Sequence, residues 1–257
     1  MALFVSGSLV RIDPQELTVE NRITVGSGAI GVVAAADSLW VSAHLADQVT
    51  RVNPVTGTVM ARVTVGAQPE GIAGDERAIW VTSEEDGQVV RIDPGTNEIV
   101  ARVDVGLAPR HVALGFGSLW VTNYGSGTIT RIDPDSNQIV ATIDVGLGPE
   151  GITFGDRDVW IANRSAGTVS RVDPATNSAT STINVGSLPE ALASGDHGRL
   201  WVALSGADGV VPIDVATEIV GLKLATEREP RRLLLRDDRL WVTNTGAGTV
   251  TVHMTLP

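Results

Sequence analysis

Tryptophan stands at positions 40, 80, 120, 160, 201 and 241, spaced 40, 40, 40, 41 and 40 residues apart. A chain punctuated so evenly is built from repeats, and the repeat sets the fold before any other feature does. Two further markers keep the same beat. Arg51-Val52-Asn53-Pro54, Arg91-Ile92-Asp93-Pro94, Arg131-Ile132-Asp133-Pro134 and Arg171-Val172-Asp173-Pro174 follow their Trp residues, degrade to Pro212-Ile213-Asp214-Val215, and are then lost. A Val-Gly pair closes units at 25, 65, 105, 145 and 185.

Each unit divides into four short runs rich in Val, Ile and Thr, with turn residues between them, as in HVALGF from His111, LWVTN from Leu119, TITRID from Thr128 and IVATIDV from Ile139. Links such as DPDSN at 133 open with Asp-Pro, which starts a type I turn, and close on Asn or Gly, which accept the left-handed conformation. No segment sustains a helical apolar period. Four-stranded antiparallel units of about 40 residues repeated around an axis are β-propeller blades. The fold class is therefore all-β. Consecutive apolar residues such as Leu119-Trp120-Val121 predict strands buried on both faces, with the Trp residues packed between blades.

The strand tally favours six blades, with seven as the alternative. In the six-blade arrangement one domain spans 1–257, with units near 25–64, 65–104, 105–144, 145–184, 185–225 and 226–257, the last closed by the strand at 19–25. That leaves residues 1–13, with the strand Leu9–Asp13, without a slot and free to pair with a neighbouring subunit. Seven blades would require two three-stranded end blades that share no strand.

Composition narrows the function classes. The net charge of −11 argues against nucleic-acid and anionic-membrane partners. With no Cys, disulfides, thiolate nucleophiles and Cys-ligated metals are excluded. The sequence lacks a signal-peptide pattern and any apolar run long enough for a membrane span, so a cytoplasmic monomer is expected, a secreted or cell-surface parent being the alternative. Lys223 is the single Lys against an Arg-rich background, a bias found in bacterial GC-rich genomes.

The repeat consensus, built on Leu-Trp-Val-Thr-Asn, Arg-Ile-Asp-Pro and Val-Gly, resembles the YVTN family of β-propeller repeats over about residues 8–253. More distantly it is similar to the streptogramin lyases, whose blades carry Pro-x-Gly-Ile before a Leu-Trp-(Phe/Val)-Thr strand. The second resemblance implies elimination chemistry that opens a lactone, with a metal-assisted His and Glu set in the loops before each blade's first strand. Of the positions that would carry it, the Pro-His pairs are replaced by Pro189-Glu190 and Pro230-Arg231, while the Glu before the last Pro is matched by Glu229.

Scaffold positions repeat, so a site should be sought where the repeat varies. After the Pro of the loop before the first strand stand Glu70, Arg110, Glu150, Glu190 and Arg231, with His111 and Arg232 one residue on. The loop between second and third strands carries His44, Glu84, Tyr124, Arg164, Ser205 and Thr245. Both loops belong to one face of a propeller, so Glu70, Arg110, His111, Glu150, Glu190, Glu229, Arg231, His44, Tyr124 and Arg164 form a mixed-charge ligand-binding set. It suits a zwitterionic or hydroxylated ligand or a partner's loop, and a Glu/Arg ring also satisfies itself through ion pairs. His253 falls at the chain end and His197 in an opposite-face turn. No metal motif is present, the Gly74-Asp75, Gly155-Asp156 and Gly195-Asp196 turns lack the oxygen run of a calcium loop, and no cofactor is expected outside Mg²⁺ under the lyase reading. The expected function is a non-catalytic scaffold binding a small molecule or a protein on the axial loop face, with a streptogramin lyase-like or other small-molecule enzyme sited in the central funnel and a structural or cell-surface repeat as alternatives.

Overall fold

The computed structural model describes residues 1–195 and 198–255. Asp196 and His197 fall outside them, and with them the readings of that turn and that His. The strands form seven antiparallel sheets, one more than the strand tally favours. The first holds β1 (Ala2–Leu3), β2 (Ser8–Ile12) and β3 (Val19–Thr24). The second holds β4 (Ala29–Ala35), β5 (Ser38–Ala43), β6 (Gln48–Val52) and β7 (Val59–Thr64). The third holds β8 (Pro69–Gly74), β9 (Ile79–Ser83), β10 (Gln88–Asp93) and β11 (Glu98–Asp104). The fourth holds β12 (Pro109–Gly115), β13 (Ser118–Asn123), β14 (Thr128–Ile132) and β15 (Ile139–Asp144). The fifth holds β16 (Pro149–Phe154), β17 (Val159–Asn163), β18 (Thr168–Asp173) and β19 (Ser178–Asn184). The sixth holds β20 (Pro189–Ser194), β21 (Arg199–Leu204), β22 (Gly209–Asp214) and β23 (Leu224–Ala225), and the seventh β24 (Pro230–Arg236), β25 (Arg239–Asn244) and β26 (Thr249–Met254).

The sixth-blade closure by residues 19–25 does not form, because β3 is taken by β2. Leu9 pairs with Ile23 and Arg11 with Asn21. Asp13 Oδ1 accepts the amides of Gln15 and Glu16, the same Asp-Pro turn that links third to fourth strand elsewhere. Nor is Leu9–Asp13 an unpaired donor strand: β2 lies between β1 and β3 and is bonded on both sides. The two end sheets are three-stranded and share no strand.

The chain divides into two compact units, Met1–Val121 with Arg131–Val140, and Thr122–Thr130 with Ala141–Pro257. Within each, Trp residues pack between adjacent sheets, as Trp40, Trp80, Trp160 and Trp201 show. Trp40 joins Ile79 and Val81, and Trp80 joins Val112 and Leu119. Trp160 joins Leu192 and Leu200, and Trp201 joins Leu240 and Val242. The Arg of the Arg-Ile-Asp-Pro marker serves the same packing. Arg51, Arg91 and Arg171 pair across the strands with Trp40, Trp80 and Trp160. Their guanidinium carbons lie 4.9, 5.3 and 5.3 Å from the ring centres, within cation–π range. Arg51 and Arg91 then donate to Asn97 Oδ1 at 3.1 Å and Asn137 Oδ1 at 3.0 Å, in the third-to-fourth-strand turn of the next sheet. Those Asn residues are left-handed, at φ 63° and 61°. Among the described residues no helix is long and apolar enough to cross a membrane.

Candidate functional site

Three local devices fix the residue after the Pro. The residue before it is left-handed in five successive sheets: Gln68, Ala108, Gly148, Leu188 and Glu229 at φ 54°, 49°, 64°, 53° and 56°. Side chains there cost roughly 1–2 kcal/mol unless the surroundings hold them. The strand then bulges, since register shifts between Pro69 and Ile72, Pro149 and Ile152, Pro189 and Ala191, and Pro230 and Arg232. A bulge re-aims its side chain, here those of Glu70, Glu150, Glu190 and Arg231. Finally, a hydroxyl from the preceding sheet's Trp-Val-Thr strand donates to that residue's carbonyl. Ser42 Oγ donates to Glu70 O at 2.6 Å, Thr82 Oγ1 to Arg110 O at 2.9 Å and Thr122 Oγ1 to Glu150 O at 2.9 Å.

The loop between second and third strands is fixed separately. Asn123 Nδ2 donates to Thr128 and Thr130 hydroxyls at 3.0 and 2.9 Å, and Asn163 Nδ2 to Thr168 and Ser170 at 3.0 and 2.8 Å. In the third sheet Ser83 replaces the Asn, and Asp86 completes the loop by accepting from Ser83 Oγ at 2.6 Å and from the Ala67 amide at 3.0 Å. The Ser83 bond first, then the Ala67 amide, holds the Asp86 carboxyl below its ordinary value of 3.8.

In the first unit these loops bring four ionisable side chains together. Arg110 Nη1 meets Glu70 Oε2 and its Nη2 meets Glu84 Oε1, each at 2.9 Å. Glu70 is 1% exposed. His44, Glu70 and Glu84 each place a possible metal ligand atom within 4.8 Å of the others. His44 Nδ1 and Glu84 Oε2 are buried with no hydrogen-bond partner among the described residues.

The second unit carries a cluster of opposite balance. Glu190, whose side chain is 2% exposed, accepts at Oε1 from Arg164 Nε at 2.9 Å and has Arg231 Nε at 3.6 Å. Ser205 Oγ adds a contact to the same oxygen at 3.4 Å. Among the described residues, Glu190 Oε2 and Arg231 Nε are buried without a hydrogen bond. Burial alone would lower the Arg164 guanidinium, but pairing with Glu190 and then Tyr124 outweighs it and raises it. Tyr124 Oη also shares a hydrogen bond with Ser165 Oγ at 3.0 Å.

The sequence-derived set thus falls into two groups. His44, Glu70 and Arg110 meet in one cluster; Arg164, Glu190 and Arg231 meet in the other, with Tyr124 beside Arg164. Glu150 is buried with its backbone carbonyl tethered to Thr122, and His111 is half-buried next to Arg110. Glu229 is exposed, and its carbonyl accepts the Thr245 amide at 2.9 Å. Glu84 is the member that variation at the Pro loop does not reveal. Its signal was its place in the neighbouring loop, one residue past Ser83, level with His44 and Arg164 in their own repeats.

A family model matches residues 59–255, that of the virginiamycin B lyase family. The chain belongs to that family. Among solved structures it resembles selenomethionine-substituted virginiamycin B lyase from Staphylococcus aureus, with TM-score 0.84 and 18% identity over 95% of this chain and 87% of that one. A streptogramin B lyase structure gives TM-score 0.84 and 16% identity, covering 96% and 87%. A functionally unknown protein from Desulfotomaculum acetoxidans DSM 771 gives 0.81 and 12%, covering 98% and 90%. At such identities the likeness shows the fold, which is the β-propeller. No curated protein matches the chain.

Family membership makes the positions inherited from the lyase resemblance worth testing against Mg²⁺. They do not suit a cation. The site would rest on Glu190, Glu229 and Arg231, yet Glu190 lies between two guanidiniums and Glu229 is exposed. Arg231 offers no lone pair to a metal and no base to a carbon acid.

Proposed function

We propose that this member of the virginiamycin B lyase family binds a small amino or hydroxy acid at the Glu190 cluster and does not open lactones there. One observation carries the reading: a buried carboxylate is clamped through a single oxygen by Arg164 and Arg231, and its other oxygen is left to accept. The cluster holds one more positive than negative group. A ligand carboxylate can take the outward N–H groups of the two guanidiniums, and a neighbouring ammonium or hydroxyl can donate to Glu190 Oε2. Elimination at this place would need a base where Arg231 stands, and a guanidinium stays protonated.

Calorimetry with a panel of amino and hydroxy acids, each beside its methyl ester, tests this. Binding of the acid but not the ester is expected, with at least a tenfold loss in Arg231→Met and in Glu190→Gln. Incubation with virginiamycin B and Mg²⁺ should leave the ring closed. Ring opening that is lost in Arg231→Met, or esters that bind as well as acids, would overturn the reading.

A further inference from the structure

We infer that His44, Glu70 and Glu84 form a binding site for a divalent transition-metal ion. The site lies within the first unit and on residues other than those the lyase resemblance implies. One imidazole nitrogen and two carboxylates make a mixed donor set. Imidazole suits zinc, copper, iron and nickel, and carboxylates suit manganese and magnesium, so Zn²⁺ and Mn²⁺ suit the combination.

Three observations point to an ion. The donor atoms come from two loops and from strand β8, and converge to within 4.8 Å. Atoms about 2.1 Å from one ion lie roughly 3–3.5 Å apart, so a movement of about 1 Å closes the set. His44 and Glu84, which are only partly buried, have room to make it. Next, His44 Nδ1 and Glu84 Oε2 are withdrawn from solvent and unmatched by any hydrogen bond among the described residues. A buried lone pair without a partner is costly, and a bound cation removes that cost for both atoms at once. His44 is also held by its backbone: its amide donates to Gly28 O at 2.9 Å, and it opens the short 3-10 turn His44–Ala46.

Arg110 does not take the cation's place. It engages one oxygen of each Glu, Oε2 of Glu70 and Oε1 of Glu84. A group that holds the far oxygens of two ligands orients them, as outer partners do around other metal centres. Leaving His44 aside, two carboxylates against one guanidinium keep the cluster negative, which draws in a cation. Three protein ligands leave further coordination positions for water or a ligand atom.

The test uses the whole purified chain, stripped with chelator, and Mn²⁺ followed by electron paramagnetic resonance, with Zn²⁺ as competitor. One Mn²⁺ per chain at micromolar affinity, displaced by one equivalent of Zn²⁺, is expected. His44→Ala and Glu84→Gln should each weaken binding at least tenfold, while Glu98→Gln, an exposed carboxylate elsewhere in the third sheet, should not. Circular dichroism of the metal-free variants confirms folding, and His44→Gln, which keeps a polar group but moves the donor, should fail like His44→Ala. No binding at millimolar Mn²⁺, or equal binding by wild type, His44→Ala and Glu84→Gln, would overturn the site and leave Arg110 as the only cation those carboxylates serve. The outcome is independent of the Glu190 cluster, which this experiment does not probe.

Discussion

The His44–Glu70–Glu84–Arg110 cluster and the Glu190–Arg164–Arg231 cluster are assembled from the same repeat positions and end with opposite charge. In both, a residue after a Pro pairs with the residue after a neighbouring Pro and with one from the loop after a Trp-containing strand: Arg110 with Glu70 and Glu84, and Glu190 with Arg231 and Arg164. Yet the first has two carboxylates around one guanidinium, the second two guanidiniums around one carboxylate. The difference shows that the blade fixes where a side chain starts and leaves its charge open. One scaffold thereby offers a cation-seeking and an anion-seeking site.

The largest effect that would break this contrast is expected from Arg110→Met. It removes the guanidinium between Glu70 and Glu84, and urea unfolding should show a loss of about 3 kcal/mol, the scale of an unbalanced buried charge. Glu190→Gln strips the shared partner from two guanidiniums and should cost about 2 kcal/mol. Arg164→Met leaves Glu190 with Arg231 and should cost only about 1 kcal/mol. A loss in Arg164→Met equal to that in Arg110→Met would mean the two clusters do not differ in how their charge is compensated.

Acid sharpens the comparison at a smaller scale. Asp86 ties the first cluster's loop at Ala67, and the corresponding residue in the fifth sheet is Ala166. Because the folded Asp86 titrates below its ordinary 3.8, its contribution is complete at neutral pH. It starts to fall near that value and is lost as the pH drops through the lower folded one. Amide hydrogen exchange of residues 66–68, referenced to 146–148, should therefore rise as the pH falls below about 4 and stay level in Asp86→Ala. The smallest effect concerns strain: Ala108→Gly relieves a left-handed residue at φ 49° and should stabilise by a few tenths of a kcal/mol up to about 1 in thermal unfolding.

The repeat made the sheets legible, because the Trp beat, the Asp-Pro turns and the left-handed Asn97 and Asn137 are all local signals. The placement of residues 1–13 was not legible. The three-stranded first sheet carries no Trp, and nothing local says whether Val19–Thr24 pairs with its own neighbour or with the far end of the chain. The site was half legible. Variation after the Pro singled out Glu70, Arg110, Glu190 and Arg231, but their partners depend on which way a bulge turns each side chain. So Glu84 gained its role only once Arg110 was seen to reach it. The stacking of Arg on Trp was hidden for a related reason: cross-strand register, not sequence separation, sets Arg51 opposite Trp40.

The hydroxyls of Ser42, Thr82 and Thr122 grip main-chain carbonyls, not side chains, at Glu70, Arg110 and Glu150. A codon change at any of those three leaves the grip intact. Such positions can be rewritten one at a time while the frame stays put, so chemistry can drift across the family faster than shape.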